Sequence, residues 1–258
     1  MRTLILLSIL VAAQIHAEEN PRTPVIVELF TSEGCSSCPA ADALLKRLSE
    51  KQEIDPALII PLGFHVDYWD HLGWRDPWAV RSFAERQRRY AKDWGADSVY
   101  TPAVVLNGKE WRDWRIQRGE WRKPSPTPGV LTAASVDFQQ WMVAFTPVDA
   151  VDRVEVNAAL LWSGVRSDVK AGENRGRRLA HEFVVAAQAS APLMRQAGVF
   201  QGSVMLQPHR AVPADATLAL AVWVTRAGRL EPLQAAGGWL PGVPGGARSQ
   251  TTATPKMP

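Results

Sequence analysis

The stretch Thr31-Ser32-Glu33-Gly34-Cys35-Ser36-Ser37-Cys38-Pro39 holds the only two cysteines in a chain of 258 residues. Before it, Val25-Ile26-Val27-Glu28-Leu29-Phe30 is β-branched and apolar, the pattern of a strand. After it, Leu44, Leu45 and Leu48 recur at helical spacing, which predicts a helix over residues 40–49. A Cys-x-x-Cys at a strand-to-helix turn puts its first sulfur at a helix N-terminus. There, unpaired N–H groups and the helix dipole favour the thiolate. Ser36 or Ser37 can cap the helix, and Pro39 falls in its first turn, where a missing N–H costs nothing.

Three uses of such a pair are open. As a structural staple it is weak, because closing so short a loop stabilises by roughly 2 kcal/mol, against about 4.7 for a loop of a hundred residues. As a zinc site it lacks a second cysteine pair, and none of the five histidines stands at ligand spacing. Thiolates suit Cu(I), but no Met-rich or His-rich stretch accompanies them. Thiol–disulfide exchange is the favoured use, and neither metal nor cofactor is expected.

The N-terminus bears on where that chemistry happens. Met1-Arg2-Thr3 and an apolar run over residues 4–13 read as a signal peptide ending at Ala17, too short to span a bilayer. Export to the periplasm or beyond would put the cysteines in an oxidising compartment, among other exported thiols. No later segment is apolar enough to span a bilayer, so no stable membrane insertion is expected after signal removal. Losing residues 1–17 takes away one arginine and lowers the net charge of +3 by one. That is too little charge for a nucleic-acid reader.

Residues 56–66 read as a second strand, parallel to the first, whose end brings His65, Asp67, Tyr68, Trp69 and Asp70 near Cys35. Asp67 is the candidate proton acceptor for Cys38, against the plainer reading that Asp67 and Asp70 cap a loop. His71 reads as a polar loop residue. Asp76-Pro77 predicts a helix start and Gly95 its stop. On it Trp78, Phe83, Tyr90, Ala91 and Trp94 share one face, with Arg81, Glu85, Arg86, Arg88 and Arg89 mostly on a solvated one. Tyr100-Thr101-Pro102 then leads a strand into Asn107-Gly108, a type I′ hairpin signal, and Pro102 is a candidate cis proline.

Strand, Cys-x-x-Cys, helix, strand, helix, Thr-Pro and hairpin is the element order of the thioredoxin fold. Residues 29–40, His65-Val66-Asp67-Tyr68-Trp69-Asp70, Gly73-Trp74 and Tyr100-Thr101-Pro102 resemble a bacterial domain-of-unknown-function family of secreted thioredoxin-like proteins. The resemblance implies Cys35 as attacking thiol, Cys38 as resolving thiol and Pro102 as the cis proline shaping a substrate groove. Thr101, Tyr100, Trp69, Ser36 and Ser37 are the candidate substrate-binding residues. The chain departs from the fold after its hairpin, where Lys123-Pro124-Ser125-Pro126-Thr127-Pro128 cannot continue a closing helix.

That spacer divides a thioredoxin-like α/β domain, residues 22–123, from a mainly antiparallel β-sandwich-like domain, residues 129–230. Strands are predicted at 129–136, 140–146, 154–162, 179–187, 202–207 and 217–225, with one helical turn at 191–197. A polar loop, Gly172-Glu173-Asn174-Arg175-Gly176-Arg177, also resembles the family, as does the start of the strand at His181. It either pairs Glu173 with Arg177 or docks near the cysteines, and the structural role is favoured. Residues 237–258 read as a disordered tail. The sequence therefore predicts an exported thiol–disulfide oxidoreductase acting on protein or peptide thiols. The alternative is a non-catalytic binding module that keeps its disulfide.

Overall fold

A computed structural model of the protein describes residues 13–17, 25–52, 59–115, 129–211 and 213–240. The first half forms strands β1 (Ala13–Ala17) and β2 (Val25–Thr31), helix α1 (Cys38–Gln52), β3 (Ile59–His65), α2 (Arg81–Trp94), β4 (Ala103–Leu106) and β5 (Lys109–Glu110). The second half contributes strands β6 (Gly129–Ser135), β7 (Gln140–Pro147), β8 (Val154–Ser163), β9 (Val165–Asp168) and β10 (Arg178–His181). Four more follow: β11 (Val184–Gln196), β12 (Val199–Met205), β13 (Thr217–Arg226) and β14 (Pro232–Trp239). The protein is mostly β, with few helices and a mixed sheet.

β2 lies parallel to β3, from Val25 opposite Ile59 to Thr31 opposite His65, and antiparallel to β4. Both β2 and β3 are buried along their whole length because a helix covers each face. α1 lays Ala41, Leu44, Leu45 and Leu48 on Val25, Val27 and Leu29. α2 lays Phe83, Ala84 and Tyr90 on Ile26, Phe30 and Phe64. The hairpin turn is type I′, with positive φ at Asn107 (46°) and Gly108 (83°).

The second half continues this sheet. β11 meets β3 in parallel at Val184 opposite Gly63, and the Gly63 N–H donates to the Phe183 carbonyl at 2.8 Å. A Cβ on Gly63 would stand 3.2 Å from that oxygen, so glycine is what permits the approach. From β11 the ladder runs antiparallel to β8, β13 and β14 on one side. Further along, β11 pairs instead with β12, which leads to β7, β6 and β1. Trp141, Phe145, Trp162, Phe200 and Val222 fill the core between these two groups of strands.

Several expectations need correction. α2 starts at Arg81 with Val80 as its N-cap, not at Asp76, although Gly95 does close it at φ 69°. Arg86 is buried rather than solvated: Nε and Nη2 donate to Glu28 at 2.6 and 2.9 Å, and the guanidinium sits over the rings of Phe64, Tyr90 and Trp223. Residues 191–197 are no helical turn; they extend β11 to a tight turn at Ala197-Gly198. β14 keeps residues 237–239 in the sheet, and residues 241–258 lie outside the described part. The spacer at 123–128 and residues 1–12 lie outside it too. Residues 13–17, read as the end of the export signal, pair with β6.

Candidate functional site

The β2–α1 turn carries the cysteines. The Cys35 N–H donates to the Ser32 carbonyl at 3.2 Å, and the Cys38 N–H donates to the Cys35 carbonyl at 3.2 Å. Cys38 is the first residue of α1, and it is disulfide-bonded to Cys35. Ser36 and Ser37 are exposed, whereas Cys35 and Cys38 retain 1% and 0% of their accessible surface. Ser37 Oγ stands 3.4 Å from Cys35 Sγ.

The Thr101–Pro102 bond is cis. Because Phe30 faces Ala103 across the β2–β4 ladder, Pro102 stands level with Thr31 at the end of β2, just before the cysteine turn. Trp69 joins the two. Its Nε1 donates to Thr101 Oγ1 at 2.7 Å, and a Cβ placed on Gly34 would stand 3.0 Å from its Cβ. A surface cleft of about 360 Å³ opens beside this junction, lined by Tyr68, Trp69, His71, Val99, Tyr100 and Thr101. Burial pushes the Tyr68 hydroxyl up to about 12, so it serves as a neutral donor, here to Gln87 at 3.1 Å. The expected Trp69, Tyr100 and Thr101 thus line one cleft, with Pro102 following Thr101 and Trp69 packed on Gly34, the residue before Cys35.

Asp67 lies in the loop that follows β3. It is half-buried at the loop, where its carbonyl accepts the Asp70 N–H at 3.0 Å, and its carboxylate makes no hydrogen bond to Cys35 or Cys38. Glu33 and Asp76 are the carboxylates bonded at the cysteine turn itself. Glu33 is fully buried and receives Trp74 Nε1 at 2.7 Å, Trp78 Nε1 at 3.1 Å and His181 Nε2 at 3.0 Å. Asp76 Oδ2 pairs with His65 Nδ1 at 2.8 Å and also accepts the Glu33 N–H at 2.8 Å. Burial opposes charge on His65, but Asp76, with Asp42 and Glu33 behind it, outweighs burial and raises the imidazole to about 9. Despite its own burial, Asp76 is held below the usual carboxylate range by His65.

Asp42 closes the cluster from α1. Thr31 Oγ1 donates to its Oδ1 at 3.0 Å, and its Oδ2 stands 3.7 Å from His181 Nδ1. Burial raises its pKa against the pull of His181 and His65. Among the described residues, no three of His, Cys, Asp and Glu converge as metal ligands.

The Gly172–Arg177 loop covers the turn from outside. Asn174, fully buried, donates through Nδ2 to the carbonyls of Glu33 (2.9 Å) and Cys35 (2.8 Å), while Arg177 Nη1 donates to its Oδ1 at 2.7 Å. Glu173 Oε2 accepts the Ser36 N–H at 2.8 Å instead of pairing with Arg177. Gly172, at φ 72°, lets the loop pack on Trp74 and Gly34. Docking, rather than an internal pair, is what this loop does. Sequence reasoning did not assign Glu33, Asp42, Asp76, Asn174 or His181 to the site. Their signal was only that each is polar within an otherwise apolar or glycine-rich stretch.

A mixed, mostly β sheet with one disulfide at a strand-to-helix turn, a cis proline beside it and a loop clasped over it defines the class. The chain belongs to the family described as protein of unknown function DUF1223, whose model matches residues 26–225. That match takes in both the cysteine turn and its covering loop. The X-ray crystal structure of protein AGR_C_4864 from Agrobacterium tumefaciens shares the fold, with a TM-score of 0.60 at 23% identity over 88% of this chain and 97% of that one. HBP35 of Porphyromonas gingivalis matches with a TM-score of 0.53 at 14% identity, over 91% of this chain and 80% of that one. No protein of curated function matches the chain.

Proposed function

We propose that residues 25–115 act as a thioredoxin-like unit, that the strands after it form a β-sandwich-like partner, and that the protein is an exported thiol–disulfide oxidoreductase. The observation that carries this reading is the Cys35–Cys38 disulfide at the β2–α1 turn, which follows Thr31, the residue level with cis Pro102. A partner thiolate attacks Cys35 Sγ, the S–S bond breaks, and Cys38 leaves as a thiolate. A second partner thiolate then attacks the mixed disulfide and releases Cys35. The partner loses two electrons as its dithiol becomes a disulfide, and the cysteine pair gains them. The partners are exported proteins or peptides, held in the Trp69–Tyr100–Thr101 cleft, with the exposed Ser36 and Ser37 as further contacts.

A second reading has its own support. Cys35 is buried under the 172–177 loop, which suits a binding module whose disulfide is never opened. Alkylation of Cys35 across pH in the reduced protein, with the potential read in glutathione buffers, separates the two. A Cys35 pKa well below ~8.5 with a potential above about −300 mV supports the oxidoreductase. A near-ordinary pKa with a lower potential supports the binding module.

A further inference from the structure

The net charge of the chain is concentrated in one place. Residues 164–178, the β9–β10 hairpin and its loop, carry five basic residues, Arg166, Lys170, Arg175, Arg177 and Arg178, against two acidic ones, Asp168 and Glu173. Their balance of +3 equals the formal net charge of all 258 residues, so the rest of the chain sums to zero. All seven of these residues are exposed. Asp168 stands 3.9 Å from Arg178 Nε, a loose pair with both partners mostly in solvent. Glu173 is committed to the Ser36 N–H, and Arg177 to Asn174. Arg166, Lys170 and Arg175 have no carboxylate partner among the described residues.

The fold sets these cations beside the cysteine turn. In the hairpin Arg178 lies opposite Asp168 and Ala180 opposite Arg166. Side chains alternate along each strand, so Ser167 and His181 turn inward onto Trp78 and Glu33, and Arg166, Asp168 and Arg178 share the outer face. Arg175 follows Asn174, whose Nδ2 is bonded to the Cys35 carbonyl at 2.8 Å. Gly34 is flanked by the aromatic cleft and by this loop: a Cβ on Gly34 would stand 3.0 Å from Trp69 Cβ, and a Cβ on Gly172 would stand 3.6 Å from Gly34 Cα. None of the large exposed apolar side chains belongs to the hairpin.

We propose that the outer face of the β9–β10 hairpin, through Arg166, Lys170 and Arg175, docks an acidic segment of the protein or peptide whose sulfur meets Cys35. This rests on the exchange reading above and names its substrate class, a cysteine flanked by aspartate or glutamate. A partner lying across the cysteine turn meets the aromatic cleft on one side and the basic loop on the other. Charge of one sign beside a site speeds the encounter with anionic partners and disfavours cationic ones. A peptide suits the hairpin better than an anionic membrane does, because membrane-surface binding adds buried apolar side chains to the charge, and the hairpin exposes no large ones. The second half of the chain thus selects the partner, and the first half supplies the disulfide.

The test is fluorescence anisotropy of the full-length protein with two labelled peptides, one of glutamate, glycine and serine, the other with lysine for every glutamate. Serine stands where a cysteine would, so binding is read without chemistry. At low ionic strength, where charges act over about 30 Å, the glutamate peptide should bind about tenfold or more tightly, and added salt should erase the difference. The triple variant Arg166→Gln, Lys170→Gln, Arg175→Gln should lose the preference with its melting temperature unchanged, since all three side chains are exposed. A glutamate peptide bound no better than the lysine one overturns the proposal, and so does a triple variant that keeps the preference. The first comparison needs only wild-type protein, so it decides even where the variant fails to fold. Binding to phosphatidylglycerol vesicles that the variant loses, with no binding of the glutamate peptide, overturns it in favour of a lipid surface. Exchange is read separately with the cysteine forms of both peptides, as a labelled mixed disulfide. A charge preference in binding without any exchange would reject the oxidoreductase and leave the docking surface standing. Exchange at equal rates with both peptides would reject the docking surface and leave the oxidoreductase.

Discussion

Asn174 reaches across 139 residues to hold the carbonyl of Cys35 at 2.8 Å. The contact joins the turn that carries the disulfide to a loop from the all-strand half. It explains why Cys35, in a turn whose Ser36 and Ser37 are exposed, is itself buried.

The cover sets how fast that cysteine reacts. Glu173→Gln weakens the acceptor for the Ser36 N–H while leaving a side chain of similar size. The disulfide of the variant should be reduced several-fold faster than wild type with little change in melting temperature. Asn174→Ala should also accelerate reduction, but at a cost of about 1–3 kcal/mol, because two buried carbonyls lose their donor. Parallel reduction kinetics and urea titrations check both. Glu173 titrates below the usual range because the Ser36 backbone and side chain bond its charged form, so acid below that lowered pKa should loosen the cover as well.

His65 predicts a pH dependence of stability. Its folded pKa of about 9 lies above the unfolded value of 6.5, so the protonated ring favours the folded state. The contribution, on the order of 3 kcal/mol, is complete below the unfolded pKa and is lost as pH rises through the folded one. Asp76, whose folded pKa is lowered, contributes above its unfolded pKa and loses that contribution as pH falls through its folded value. Urea midpoints should decline across the alkaline limb in wild type, and that decline should vanish in His65→Gln.

The Glu28–Arg86 pair, both side chains under 5% exposed, anchors α2 to the centre of the sheet. Arg86→Met alone leaves a buried carboxylate and should cost about 3–5 kcal/mol. Combining it with Glu28→Leu should recover much of that loss, although Tyr90, which also donates to Glu28, then lacks its acceptor. Denaturant unfolding of the single and double variants measures the coupling.

Gly34→Ala tests the junction between the cysteine turn and the cleft. The added methyl meets Trp69 at 3.0 Å from its Cβ and 3.4 Å from its carbonyl oxygen. Trp69 must shift and its bond to Thr101 lengthen. A change in Trp69 emission, with weaker peptide binding in the cleft, is the expected outcome.

The sequence made some of this legible because local chemistry decides it. Val25–Thr31, the helix after Cys38, the Asn107-Gly108 hairpin and cis Pro102 each follow from neighbouring residues. Asp76 was misread as a helix cap because nothing nearby reveals His65, eleven residues earlier, as the stronger partner. Arg86 was misread for a similar reason. Its spacing suits a solvated face, and only the fold brings Glu28 against it. Asp42 and His181 were invisible as a pair, since they lie on α1 and β10 and meet only once β11 has docked beside β3.

The order in which the chain is made gives the Asn174 contact a temporal meaning. Cys35 and Cys38 emerge from the ribosome well before the loop that will cover them, and at about 5–20 residues per second that interval is roughly seven to thirty seconds. During it the two thiols are open to any oxidant or foreign thiol they meet. The loop that covers Cys35 is therefore the last part of this site to be made.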